Sequence, residues 1–470
     1  MAGFGIGQPI RRVEDKRFLT GHGTYVDDIA LPRQTYAVQV LSPHAHAKIV
    51  KIDKSKAEAA PGVLCVLTGA DAADEGVGPM FPLMPEDMGG PKGYRSPRLL
   101  LATPKVRYVG ERVAFVVAET LAEAQDAAEL VEVEYDALPA VIDPEAALKP
   151  GAPKIWDDNP DGNVIFPLMF GNKEATDAAF AKAAHKVKLR LINNRLCANS
   201  METRGCIGDY SAADDFYTLY TTTQNPHGTR GAIAGQVFHV PESQVRVVAR
   251  DVGGGFGMKG DPYPEEALCL WASRKIGRPV KWISTRSEGL LTDTHGRDQI
   301  VTGEMALDPD GKILAIRAET VIPLGANVSG AGIVPPMAAL QMIPQVYDVP
   351  AVFLSGHTVF TNTTPMGPYR GAGRPEATYF TERLIEHAAR EIGMDPVELR
   401  RRNFIPPSAM PHTTQTGVTY DSGNFADTMT KTMAMADWDG YAARKAASEK
   451  RGKLRGRGLI YYLETCGIFN

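Results

Sequence analysis

Cysteine is scarce in this sequence: there are five in 470 residues, at Cys65, Cys197, Cys206, Cys269 and Cys466. No two stand in a C-x-x-C spacing and the count is odd, which argues against a disulfide framework, an iron–sulfur cluster or a zinc site within the chain. Most are expected to be small buried hydrophobes. No apolar run approaches the ~20 residues of a transmembrane helix. The N-terminus, MAGFGIGQPIRRVEDKRF, lacks the basic region and apolar stretch of a signal peptide. A cytoplasmic chain with no membrane partner is expected. Neither sign of charge dominates: 51 basic and 55 acidic residues are spread along the chain, net −4, so no nucleic-acid partner is expected. Several motifs are missing too. There is no G-x-x-x-x-G-K-[ST], no G-x-S-x-G and no H-E-x-x-H, and GGGFGM does not fit G-x-G-x-x-G with a ribose-binding acid downstream. These absences argue against a P-loop ATPase, an α/β-hydrolase, a zinc protease and a nicotinamide-binding enzyme.

What the chain does have is 44% hydrophobic content, enough for a proper core, a length that suits two to four domains, and two glycine-rich loops. One runs from Asp251 to Gly260 (DVGGGFGMKG), the other from Met366 to Pro375 (MGPYRGAGRP). Each leads into a predicted helix with Pro in its first turn, at Pro264 and Pro375. Glycine lets backbone approach a bulky ligand, and a helix N-terminus behind such a loop offers N–H groups to an anion. A single GGGFG is as readily a tight turn or bulge. The pair points to a large phosphate-bearing cofactor held from two sides.

Strand-type and helix-type segments mix along the chain, which gives an α/β (α+β) class. Alternating runs lie at TYAVQVLSPHAHAKIVKI and PGVLCVLTG, and a strand–helix–strand series at KVRYVGERVAFVVAE, LAEAQDAAELV and VEVEYDALPAVI. A Pro/Asp/Gly-rich stretch at 146–173 reads as a linker. The second loop precedes a helix Pro375 to Ile392 whose apolar stripe is Ala377, Phe380, Leu384, Ala388 and Ile392. Asp308 to Gly311 is a hairpin turn. His44 and His46 have an H-x-H spacing that would share a strand face; structural histidines are the simpler reading. Glu202 and Arg204 would share a strand face as an ion pair or as site lining. Gln224, at a strand end, is either solvated or a donor to a cofactor oxygen. The apolar run LIYYLETCGIFN at the C-terminus reads as a buried strand, as if the chain ended inside a domain.

Taken together, RVEDKRFLTGHGTYVDDI, SPHAHAKI, VRYVGERVAFVVAET, SMETRG, TTTQNPH, DVGGGFGMKG, TRSE with THGRD, PYRGAGRPEA and DPVELRRRNFI resemble, in order and along essentially the whole chain, the molybdopterin-binding large subunit of the xanthine dehydrogenase, aldehyde oxidase and aerobic carbon monoxide dehydrogenase family. The resemblance implies an extended segment over 1–20, an a/b hammerhead-type domain over 21–145, the linker, a first molybdopterin-binding domain over 174–406, and over 407–470 the start of a second, incomplete one. It implies molybdopterin, in the cytosine dinucleotide form, with molybdenum held by the pterin dithiolene and no protein ligand. Gln224 is then the amide at the molybdenum oxo group. Gly254, Gly255, Phe256 and Gly257 form the loop round the cofactor, and Tyr369, Arg370, Gly371 and Ala372 the second loop beside it. The family's general-base glutamate would lie beyond residue 470, so no catalytic residue is assigned in this chain. The copper-containing CO dehydrogenases carry a cysteine after the loop arginine; here Gly371 stands there, which argues against copper–molybdenum chemistry. The xanthine enzymes have an acid after the lysine of the first loop; here Gly260 follows Lys259, which argues against purine specificity.

The reaction implied is hydroxylation of an aldehyde or an N-heteroaromatic carbon with water as oxygen source. Electrons would pass to a [2Fe–2S] subunit and an FAD subunit, and a second molybdopterin-binding chain could complete the site. The alternatives are a truncated, catalytically silent relative or scaffold, and a nucleotide-binding module without molybdenum.

Overall fold

The protein is described by a computed structural model that covers Gly5 and residues 8–464. It is a mixed α/β fold, as expected, built on two large sheets. The first has seven strands in the order Val245–Val248, Phe216–Thr221, Gly205–Ser211, Val280–Ile283, Thr35–Leu41, Arg112–Ala118, Val63–Thr68. The second has five, in the order Val164–Gly171, Ala351–Phe360, Ile313–Gly325, Gln299–Leu307, His185–Asn193. A smaller three-stranded sheet joins Lys105–Val106, Ala47–Asp53 and Glu132–Ala137.

Local sequence accounts for the elements. Arg112–Ala118 is buried at every position, which is why RVAFVVA reads as a continuous apolar run; Thr35–Leu41 beside it alternates. Helix Leu121–Glu129 starts at Thr120, whose hydroxyl accepts from Glu123 N at 3.2 Å while the Glu123 carboxylate reaches back to Thr120 N. Helix Pro264–Ile276 is buried through its first ten residues against the seven-stranded sheet and ends at Gly277, φ +65°. Helix Arg374–Glu391 covers the five-stranded sheet with Ala377, Phe380, Leu384 and Ala388. Gly303 in that sheet has no room for a side chain: an added Cβ would lie 2.2 Å from the Phe380 ring.

Several expectations need correction. The 146–173 stretch is not simply a linker. Val164–Gly171 is an edge strand of the five-stranded sheet, paired antiparallel with Ala351–Phe360; its apolar side chains were masked by the Pro/Asp/Gly run before them. The strand–helix–strand series is found, but its first segment divides between two sheets: Lys105–Val106 and Glu132–Ala137 both pair with Ala47–Asp53 in the small sheet, whereas Arg112–Ala118 joins the seven-stranded one. The N-terminal segment holds a short helix, Asp15–Leu19, tied down where Arg17 pairs with Asp251. Residues 459–464 form no strand. Their anchor is Tyr461, buried with its ring 5.0 Å from Phe404 and 6.2 Å from Phe425; the rest of that expected strand, with Cys466, lies outside the described residues.

Candidate functional site

The two glycine loops, more than a hundred residues apart in the chain, touch backbone to backbone. Arg370 N donates to Phe256 O at 2.8 Å. An added Cβ on Gly257 would lie 2.7 Å from Pro368 O. The first loop passes through left-handed space at Gly254 (φ +98°), Phe256 (+54°) and Gly257 (+92°). Glycine does so freely, but Phe256 is a bulky residue in a strained conformation with 40% of its surface exposed, and such strain is held by the structure around it. The second loop does the same at Gly371 (+95°), Ala372 (+42°) and Gly373 (+99°), closed by Ala372 N donating to Tyr369 O at 2.8 Å.

Gln224 stands against the first loop. Its side-chain oxygen accepts from Gly257 N at 2.8 Å, and its own N–H donates to Lys259 O at 2.8 Å. Because Gly257 N–H can only donate, it fixes the orientation of the amide and leaves the Gln224 NH2 group with no partner among the described residues. An added Cβ on Gly255 would lie 2.4 Å from that side-chain oxygen, so the glycine is what lets the amide in. The N–H groups of Gly254, Gly255 and Phe256 also make no hydrogen bond to a described residue. Arg370 is exposed at the rim. The structure thus brings Gln224, Gly254, Gly255, Phe256, Gly257, Tyr369 and Arg370 together, with Gly371 and Ala372 completing the second turn.

Sequence reading missed the residues that brace these loops. Arg297 donates to Tyr369 O at 2.9 Å and to Arg370 O at 2.8 Å, and its guanidinium lies 4.8 Å from the Tyr369 ring centre. Glu376 beneath it meets the same guanidinium at 3.2 Å; burial pushes this carboxyl upward. The THGRD motif carried this brace, but no spacing rule reveals it. Glu202 and Arg204 do not pair, and residues 200–204 form no strand. Glu202 meets Lys259 at 3.2 Å. Arg204 lies inside a buried charged layer beneath the loop, with its Nε 2.6 Å from Asp293, a further ion pair to Glu265, and the Tyr263 ring 3.8 Å away. Arg112 holds the other Glu265 oxygen at 2.8 Å. Burial raises the Glu266 and Asp261 carboxyls above the usual range and lowers the Lys259 ammonium.

The histidines lie elsewhere. His46 is buried with Nδ1 2.8 Å from Pro139 O, and His44 packs on Tyr135 at 4.8 Å. Among the described residues no three His, Cys, Asp or Glu side chains converge as a metal site, and no helix is long and apolar enough to cross a membrane.

Comparison with known proteins gives these features a context. The family model of the molybdopterin cofactor-binding domain matches residues 156–404, and that of the a/b hammerhead domain of aldehyde oxidase and xanthine dehydrogenase matches residues 20–139. The carbon monoxide dehydrogenase large chain of Hydrogenophaga pseudoflava is 37% identical over 97% of this chain and 57% of its own length. The nicotine 6-hydroxylase large subunit of Paenarthrobacter nicotinovorans is 36% identical over 98% of this chain and 56% of its own. The crystal structure of quinoline 2-oxidoreductase from Pseudomonas putida 86 superposes with a TM-score of 0.88 at 36% identity, covering 94% of this chain and 56% of that one. The chain spans somewhat over half the length of these relatives.

Proposed function

Because the chain belongs to the aldehyde oxidase and xanthine dehydrogenase family of molybdopterin-binding large subunits, we propose that it is the cofactor-binding part of a molybdenum hydroxylase acting on an aldehyde or N-heteroaromatic substrate. The observation that carries this reading is the meeting of the two glycine loops over Gln224, where the Gln224 NH2 group and the N–H groups of Gly254, Gly255 and Phe256 are free to donate.

That donor set fits an anionic, oxo-rich ligand. The Gln224 NH2 group and the amides of Gly254, Gly255 and Phe256 are free to donate, and Arg370 adds positive charge at the rim. Gly254, Gly255, Phe256 and Gly257 would hold one side of the cofactor; Tyr369, Arg370, Gly371 and Ala372 would hold the other. Metal ligation would come from the cofactor itself, consistent with a site rich in donors and poor in ligating side chains. When bound, the cofactor supplies oxidation of a carbon centre with water as the oxygen source. Gln224 would orient it by a hydrogen bond whose direction the Gly257 N–H already sets. The cytosine dinucleotide form, a [2Fe–2S] subunit, an FAD subunit, a second molybdopterin-binding chain and a cytoplasmic location complete the proposal.

Copper–molybdenum chemistry is disfavoured by the second loop. An added Cβ at Gly371 would lie 2.6 Å from Pro375 Cγ and 2.6 Å from the Tyr462 hydroxyl, at a φ of +95°. The names of the relatives, a nicotine hydroxylase and a quinoline oxidoreductase, favour azaheterocycles for the first substrate screen.

The test is to purify the chain from its native source with whatever subunits accompany it, and to measure molybdenum, iron and flavin. Molybdenum with an iron–sulfur and a flavin subunit, and turnover lowered by Gln224→Ala at unchanged melting temperature, are expected. A chain found alone without molybdenum, or unchanged turnover in the variant, overturns the reading.

A further inference from the structure

Both ends of the first glycine loop are tied to one residue outside it. Glu202 N donates to Gly253 O at 3.1 Å, and Gly253 N donates back to the Glu202 carboxylate at 2.6 Å. At the far end, the Lys259 ammonium donates to Glu202 O at 2.9 Å and to the same carboxylate oxygen at 3.2 Å. Gly253 is glycine for this reason, since an added Cβ would lie 2.4 Å from Glu202 Cβ. The Lys259 side chain is 1% exposed, and both of its hydrogen bonds go to Glu202. Ser200 secures the Glu202 carbonyl with a hydroxyl at 2.6 Å. Between these two anchors lie the left-handed turns at Gly254, Phe256 and Gly257, and Gly257 N is the group that aims the Gln224 amide.

We propose that Glu202 is the positioning residue of this site, setting the Gln224 amide through the loop it clamps; the proposal rests on the cofactor-binding reading above. The physical argument is one of constraint. A loop with three residues at positive φ is pre-organised only if its ends are fixed, and here one carboxylate does this by bridging a backbone N–H and a buried cation. Removing it leaves the Lys259 ammonium buried without its counter-charge, so the lysine must lose its proton or leave its site. Either outcome loosens residues 253–259, which keep only main-chain ties such as Gln224 N to Lys259 O and Arg370 N to Phe256 O, and relaxes the geometry that aims Gly257 N at Gln224. Glu202 has no need to touch the ligand to control it.

The experiment uses the full chain with its co-purifying subunits and compares wild type, Glu202→Ala, Glu202→Gln, Gln224→Ala and the Glu202→Ala/Gln224→Ala double variant. Deuterium exchange of the 253–260 peptide, in cofactor-free preparations of equal far-UV circular dichroism, reads the clamp directly. Molybdenum and pterin content after gel filtration reads its consequence. Glu202→Ala is expected to speed exchange at 253–260 and to lower molybdenum and pterin content by about tenfold or more, the scale of lost outer-shell support at a metal site. Glu202→Gln, which keeps an acceptor but not the charge, should fall between. In the Gln224→Ala background the Glu202 change should add little, because both act on one amide. Wild-type exchange at 253–260 in Glu202→Ala, or losses that multiply independently with Gln224→Ala, overturn the proposal. If Glu202→Ala does not fold, exchange in Glu202→Gln decides: faster supports the clamp and wild-type exchange overturns it. A wild-type chain that never contains molybdenum would sink the functional reading while the exchange data still judge the clamp.

Discussion

Gly255→Ala is the sharpest single perturbation of the site. The backbone at this glycine is outside the left-handed region, so alanine is conformationally acceptable, but its Cβ would lie 2.4 Å from the Gln224 side-chain oxygen and 2.6 Å from its Cδ. Both atoms belong to an exposed side chain, so it is Gln224 that yields, by about 1 Å to reach ordinary contact. Its bond to Gly257 N then breaks. A hydrogen bond that water can replace contributes about 1 kcal/mol, which in a chain of this size moves the melting midpoint by about 2 °C or less. Thermal unfolding is therefore the wrong assay and turnover the right one, since a misplacement of about 1 Å in an oriented group can cost on the order of 100-fold. Gly260→Ala is the matched control: nothing lies within 4 Å of its added Cβ and its φ is unremarkable, so it should be neutral or about 0.5 kcal/mol stabilising. We expect the Gly255 variant of the complete complex to melt like wild type and turn over about 100-fold more slowly. Equal turnover in the two variants, or a large melting shift in the first alone, would refute the claim that Gly255 exists to admit Gln224.

Gly371→Cys places a side chain at φ +95° against Pro375 and Tyr462; it should destabilise by about 2–3 kcal/mol in denaturant titration and bind no copper by elemental analysis. Arg204→Leu leaves Glu265 and Asp293 buried without this cation, for a loss of about 3–5 kcal/mol; a wild-type denaturation midpoint would contradict it. His295, whose main chain pairs with both Pro365 and Gly367 beside the second loop, is held below its ordinary pKa by burial and then by Arg195. The native state takes up its proton at lower pH than the unfolded chain, whose ordinary value is near 6.5, so stability should be fully present above that pH and decline as pH falls below it. His295→Gln should flatten the decline measured between about pH 5 and 7.

Where sequence reading succeeded, the signal was local. The helix expected to start at Pro264 is found there and runs to Ile276, because Pro in the first turn is a start signal, and Gly277 after the last turn a stop signal, carried by neighbouring residues. The Asp308 to Gly311 turn is found for the same reason, joining Gln299–Leu307 to Ile313–Gly325. Its failures were failures of partnership. Periodicity says which face of Glu132–Ala137 is apolar but not that its neighbour is Ala47–Asp53. Charge spacing set Glu202 beside Arg204, yet each found its partner elsewhere: Lys259 for the first, Glu265 and Asp293 for the second. In the site, the glycines were legible because close approach restricts residue type, whereas Arg297 was not, because an arginine that braces backbone carbonyls looks like any other arginine.

The seven-stranded sheet has a consequence in time. Strand Thr35–Leu41 can pair early with Arg112–Ala118 on one side, but its other side is closed by Val280–Ile283, where Thr35 N donates to Pro279 O across 244 residues of chain. At ordinary ribosomal speeds that span takes roughly 10–50 s to synthesise. During the interval a nascent chain carries a strand with an open edge, a template for pairing with another molecule. The strand that links the first part of the chain to the glycine-loop region is thus also the one whose exposure before release would decide whether the protein matures or aggregates.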